Sequence, residues 1–116
     1  MAFRFENLVV WQKAFELSDE VDKIAKSFPK IEMFSLATQI KRASDSVVLN
    51  IAEGSTGQTK PEFARFLTYA LRSAIEVVSC LFLAKKRGYI NDETFTALYS
   101  GYESLSKMIT SLKNSL

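Results

Sequence analysis

The stretch Pro61–Gly88, PEFARFLTYALRSAIEVVSCLFLAKKRG, decides the fold. Phe63, Leu67, Ala70, Ala74, Val77, Leu81 and Ala84 recur in it at alternating spacings of four and three. That is the seam of a helix packed nearly parallel to a partner. A second stripe, Leu71, Ile75, Val78 and Phe82, lies beside the first. At 100° per residue the two stripes make one apolar arc over about half the circumference, wide enough for two or more neighbours. The opposite arc carries Arg65, Arg72, Ser79 and Lys86 on one line. Thr59 is the predicted N-cap, with Glu62 three residues on and Pro61 between them. Lys85, Lys86 and Arg87 complement the carbonyl end of the helix, and Gly88 supplies a left-handed cap.

Working outward, three more helices follow from the same periodicity. Near the start, Val10, Ala14, Leu17, Val21, Ile24 and Phe28 form a seam over about residues 7–27, with Asn7 as N-cap. Leu8, Trp11 and Phe15 thicken its first half, and Glu16, Asp19, Glu20 and Asp22 make its far side acidic. Pro29 ends it, because residues before proline avoid the helical region. Leu36, Ile40, Ala43, Val47, Asn50 and Gly54 carry a helix over 33–53, rich in small residues that allow close approach. The Gly54–Gln58 run is the clearest loop. After Gly88, Asn91 caps a last helix over 92–115 with the seam Phe95, Leu98, Tyr102, Leu105, Ile109, Leu112 and Leu116. Short connections make successive helices antiparallel. The expected fold is all-α, a single-domain up-down four-helix bundle with a short aromatic arm at residues 1–6.

Composition narrows the function. The 116 residues carry a net charge of +2, which by itself does not mark a nucleic-acid binder. Pro61–Gly88 holds five basic and two acidic residues, net +3, so the rest is net −1. One cysteine, Cys80, allows no internal disulfide and suits a reducing cytosol. With no histidine, a zinc site is not expected and the commonest neutral-pH acid–base catalyst is missing. The longest unbroken apolar run, Cys80–Ala84, is too short to span a bilayer. These readings point to a cytoplasmic protein with no cofactor, metal or membrane partner.

The chain resembles the 23S rRNA-intervening-sequence protein family, the four helix bundle proteins. The resemblance rests on Phe5–Ala14, on Ala43 with Val47–Gly54, on Lys60–Leu67 and on Arg87-Gly88-Tyr89-Ile90. It spans nearly the whole chain in the right order. It implies the four-helix bundle reached above. Through related accessory proteins of diversity-generating retroelements, it also implies a homopentameric ring that binds RNA or DNA and a protein partner such as a reverse transcriptase. Those relatives are strongly basic, whereas this chain is not.

Candidate site residues follow from both readings. Arg65, Arg72 and Lys86 span 21 residues, about 30 Å of helix, a line that can follow a phosphate backbone. Glu76 lies four residues after Arg72, so a solvated face with local ion pairs fits the same pattern. Lys41 and Arg42 are a second basic pair. Asn50, at a seam position, is expected to make a polar link to another helix, and Glu53 to pair with Arg42 or Arg65 or to cap the central helix. No catalytic residue is assigned, since Glu53 has no evident partner for acid–base work. Trp11, Phe3 and Phe5 are candidates for subunit contact, with ordinary core packing as the alternative. A closed ring needs head-to-tail contacts, for which the acidic first helix and basic third helix are complementary; reversal of Glu20 and Asp22 is expected to weaken it.

Overall fold

The computed structural model describes residues 2–57 and 59–116. It contains four α-helices and, among the described residues, no strand: α1 Val9–Lys26, α2 Leu36–Gly54, α3 Lys60–Lys86 and α4 Asp92–Asn114. They pack into a rod of 43 × 23 × 22 Å. The predicted α3 seam is the centre of that rod, with Leu67, Ala70, Ala74, Val77, Leu81 and Ala84 fully buried. α3 is long and apolar enough to cross a membrane by length and composition, with a mean hydropathy of 1.6 over its best window, although it contains no long unbroken apolar run. A third of that window is buried inside the bundle, and the rest includes apolar side chains that stay exposed, Ile75 and Phe82 among them.

Both ends of α3 form as its sequence dictates. The Thr59 hydroxyl accepts the Glu62 amide at 3.2 Å. At the other end Gly88 takes φ +77°, which lets Tyr89 N donate to Ala84 O at 2.9 Å and Gly88 N to Lys85 O at 3.0 Å. These two hydrogen bonds close the carbonyl end. Asn91 caps α4 by accepting the Thr94 amide at 2.8 Å.

The first two helices start later than the sequence predicts. Asn7 is not the cap of α1: Arg4–Asn7 form a 3-10 turn and Leu8 holds the N-cap position. Local bonds replace the cap, with Gln12 Nε2 donating to Glu6 O at 2.8 Å and Phe3 N to the Glu6 carboxylate at 3.0 Å. α2 starts at Leu36, not Met33, because Lys30–Glu32 also form a 3-10 turn. The Glu32 carboxylate accepts the Ser35 hydroxyl at 2.6 Å and the Leu36 amide at 3.4 Å, so an acid upstream caps α2.

Small residues bring helices together. A β-carbon on Gly54 would lie 2.6 Å from Phe66 Cβ, so the end of α2 rests directly on the α3 backbone region. Between these two helices, Ser73 Oγ donates to Ser46 Oγ at 2.9 Å and Gln39 Nε2 to Glu76 Oε2 at 3.3 Å. Between α1 and α2, Ser18 Oγ donates to Asp45 at 2.8 Å and Lys41 pairs with Asp22 at 2.7 Å. In both cases numbering rises on one helix as it falls on the other.

Tyr102 is fully buried, and its hydroxyl has no hydrogen-bond partner among the described residues. Burial, with Asp45 and Glu20 nearby, pushes its ionisation far above the usual phenol range. An unpaired buried hydroxyl forfeits its hydration for nothing. Tyr102→Phe is therefore expected to raise stability by about 1 kcal/mol in urea unfolding. A lower midpoint would show that the hydroxyl is satisfied.

Candidate nucleic-acid interface

The outer crest of α3 is built by the seven-residue repeat. Because Phe63, Leu67, Ala74 and Leu81 point inward, Arg65, Arg72, Ser79 and Lys86 must point outward, and all four are exposed. Arg65 lies over its neighbour's ring, with its guanidinium carbon 6.0 Å from the centroid of Phe66. Arg72 and Lys86 have no ion-pair partner among the described residues; Glu76 accepts instead from Gln39. The local ion pair that would neutralise the line is thus not made.

Arg42 on α2 falls between Gln39 and Ser46, the two residues that bond to α3, and is also exposed and unpaired among the described residues. It belongs with Arg65 and Arg72 on the α2–α3 side. Lys41 does not. One residue earlier, it is rotated by about 100°, onto the α1 side, where Asp22 compensates it and raises its pKa. Sequence adjacency therefore made a pair that the helix separates. The terminal cations divide in the same way. Lys85 pairs with Asp92 at 3.6 Å and Arg87 with Glu32 at 3.2 Å, leaving Lys86.

Asn50 is half-buried and does not itself cross to another helix. Its Nδ2 donates to Ser46 O at 2.8 Å and Ser46 Oγ at 2.9 Å, and the link to α3 runs through Ser46 and Ser73. Asparagine is long enough to reach back one turn, which satisfies it locally. Glu53 is exposed and pairs with neither Arg42 nor Arg65 among the described residues. Cys80 is buried, and burial pushes its thiol to about 11, with Glu76 adding to the effect.

The aromatic arm packs on its own bundle. Phe3, Phe5, Trp11 and Phe15 form a ladder with centroid separations of 6.0, 4.7 and 4.9 Å. Phe5 and Trp11 are half-buried, while Phe3 and Phe15 remain exposed at its two ends. The second apolar stripe of α3 also splits. Leu71 and Val78 pack against the core, but Ile75 is 67% and Phe82 53% exposed. An apolar arc of half a circumference exceeds what two adjacent helices cover, so a shoulder beside α4 stays open.

Two features had no direct sequence signal. One is an open groove of about 890 Å³ between α1 and α2, whose floor includes Phe15, Val48 and Leu49. Leu49 stands off the α2 seam, and α1 shows an acidic side with Phe15 near it, but neither pattern says that the two helices leave a groove. The other is Glu32, which accepts from Tyr89 Oη at 2.7 Å as well as from Arg87, Ser35 and Leu36. Its carboxyl is held below the ordinary value of 4.5, first by the Ser35 bond and then by Tyr89. Since the folded pKa lies below the unfolded one, this stabilisation is complete above about pH 5 and fades as pH falls through the folded value. Glu32→Gln is expected to flatten the acid limb of the stability profile between roughly pH 5 and 3; a limb as steep as the parent's would assign it to other acids.

Residues 6–111 match the family model of the 23S rRNA-intervening sequence protein. Among solved structures, the chain is similar to a Bacteroides thetaiotaomicron protein of unknown function from the S23 ribosomal protein family. The TM-score is 0.85 at 25% identity, covering 90% of this chain and 98% of the other. No curated protein matches the sequence.

Proposed function

Since the chain belongs to the 23S rRNA-intervening sequence protein family, we propose that it is a non-enzymatic, self-associating bundle that binds nucleic acid through the crest of α3. The observation that carries this reading is the grouping of Arg42, Arg65, Arg72 and Lys86 on α2 and α3, all exposed and without an acidic partner among the described residues. Arg4, Lys30, Lys60 and Lys107 are also exposed and unpaired there but lie off this crest. Cations already paired inside a subunit gain little from a phosphate. The four grouped cations keep their full charge for one, and on α3 they follow a line of about 30 Å. The paired numbering between helices supports an antiparallel up-down bundle, which leaves the α2–α3 side free of the other two helices.

Self-association rests on the α3 shoulder. Ile75 is two-thirds exposed, and Phe82 is half exposed although its ring meets Phe95 at 4.9 Å and Tyr99 at 6.1 Å; both leave apolar surface beside the cationic crest without covering it. Docking there by a second subunit would leave Arg65 and Arg72 open. A ring of five, the number drawn from family resemblance, would sum weak stripes by effective concentration. Phe3, exposed at the end of the aromatic ladder, is the arm residue left for a neighbouring subunit. Asp22, tied to Lys26 and Lys41, is not, so charge reversal there would act through the subunit's own fold. A cytoplasmic setting fits a lone cysteine kept as a thiol.

The test is anisotropy of labelled structured RNA and duplex DNA at low and near-physiological salt. Three phosphate contacts on a duplex give a slope near −2.7, about 40-fold weaker binding from 50 to 200 mM. Removing charge at Arg65, Arg72 and Lys86 together is expected to abolish both the binding and the slope. No binding by the parent at low salt would sink this reading in favour of a protein-interaction scaffold.

A further inference from the structure

We infer that the α1–α2 groove is a docking site for a cationic amphipathic helix of a partner protein. Its lining holds five carboxylates and two lysines, net −3. The lysines are spent within the subunit: Lys23 on Asp19 at 3.3 Å, Lys41 on Asp22 at 2.7 Å. Among the described residues, Glu16 and Glu20 on α1 and Asp45 on α2 make no ion pair, and Asp45 accepts the Ser18 hydroxyl. The floor is apolar. Phe15 is 57% and Leu49 63% exposed, and Trp11 stacks behind Phe15 at 4.9 Å. Large side chains this exposed contribute little to the fold and form a ready apolar seat.

The groove is also preformed. Ser18–Asp45 and Asp22–Lys41 tie the two helices across it, so its width is set before anything docks. A volume near 890 Å³ admits a row of side chains from a helix. The acids repel phosphate, so nucleic acid is the wrong ligand for this side. With acids on both walls, the occupant must carry cations along both edges of an apolar face. A second copy offers the wrong order: its α3 is packed against α2 and α4 and shows one cationic line with exposed apolar residues beside it, Ile75 and Phe82 to one side and Tyr69 and Leu83 to the other, whereas the groove calls for an apolar strip between two cationic edges. A free helix presents both edges. This inference stands apart from the proposed nucleic-acid reading, since it uses the opposite charge on different helices.

The probe is a labelled 16-residue helical peptide with leucines on one face and lysines on both edges. Its comparators are a scrambled peptide of the same composition and a peptide copying Arg72–Arg87. Anisotropy is expected to show at least tenfold tighter binding of the amphipathic peptide than of either comparator. Phe15→Ser with Leu49→Ser, and Glu16→Gln with Glu20→Gln and Asp45→Asn, should each weaken it tenfold or more, with circular dichroism unchanged. Charge removal at Arg65, Arg72 and Lys86 should leave it intact, which separates this site from the α3 crest. Equal binding of the scrambled peptide would reduce the groove to bare charge and overturn the inference. So would unchanged binding by Phe15→Ser with Leu49→Ser. Equal binding of the Arg72–Arg87 peptide would reassign the groove to a second copy.

Discussion

Gly54→Ala is expected to unfold at lower urea than the parent, by about 1–3 kcal/mol, the usual cost of overpacking. The added methyl would lie 2.6 Å from Phe66 Cβ and 3.0 Å from Phe63 Cδ1. A β-carbon cannot move without its backbone, so α2 and α3 must part. That disturbs the Ser46–Ser73 bridge, 2.9 Å across the same helix pair. Alanine's better helix propensity returns little here, because Gly54 is the last residue of α2. Gly101→Ala is the control. Its methyl would also come within 2.6 Å of an atom, but that atom is Leu17 Cδ2, the far end of a side chain that can turn aside. Gly101 lies inside α4, where alanine gains about 0.5–1 kcal/mol. Its net change is expected to stay within about 1 kcal/mol of zero. Equal midpoints for the two variants would mean that the α2–α3 contact is looser than these distances.

Leu67→Ala is expected to cost about 2–5 kcal/mol in the same assay, the range for emptying a fully buried leucine position. Ile75→Ser, eight residues on in the same helix, should change subunit stability by no more than about 0.5 kcal/mol, because two-thirds of Ile75 already faces solvent. Its effect should appear in mass instead. Light scattering of Ile75→Ser with Phe82→Ser is expected to show smaller assemblies than the parent at equal concentration. The two α3 stripes look alike as lists of apolar residues, and this pair of measurements separates their roles. An unchanged mass in the Ile75 and Phe82 double variant would remove the shoulder from self-association.

The seams of all four helices were legible in the sequence because spacing by three and four fixes which side chains share a face. The same arithmetic placed Arg65, Arg72 and Lys86 on the exposed crest. Gly88 and the caps at Thr59 and Asn91 were legible too, since each acts on its own chain within a few residues. Three features were not. The starts of α1 and α2 depend on Gln12 reaching back to Glu6 and on Glu32 reaching forward to Leu36, side-chain choices that compete with Asn7 and Met33 on nearly equal terms. The pairing of the basic residues was hidden, because Lys41 meets Asp22 and Arg87 meets Glu32 only through packing, while Arg42 and Lys86, next in sequence, meet no acid among the described residues. The groove was hidden as well. Periodicity tells each residue which way to face along its own axis. How far apart two axes lie, and so whether Phe15 and Leu49 close over the core or stand open, is set by Ser18, Asp45, Asp22 and Lys41 acting across helices.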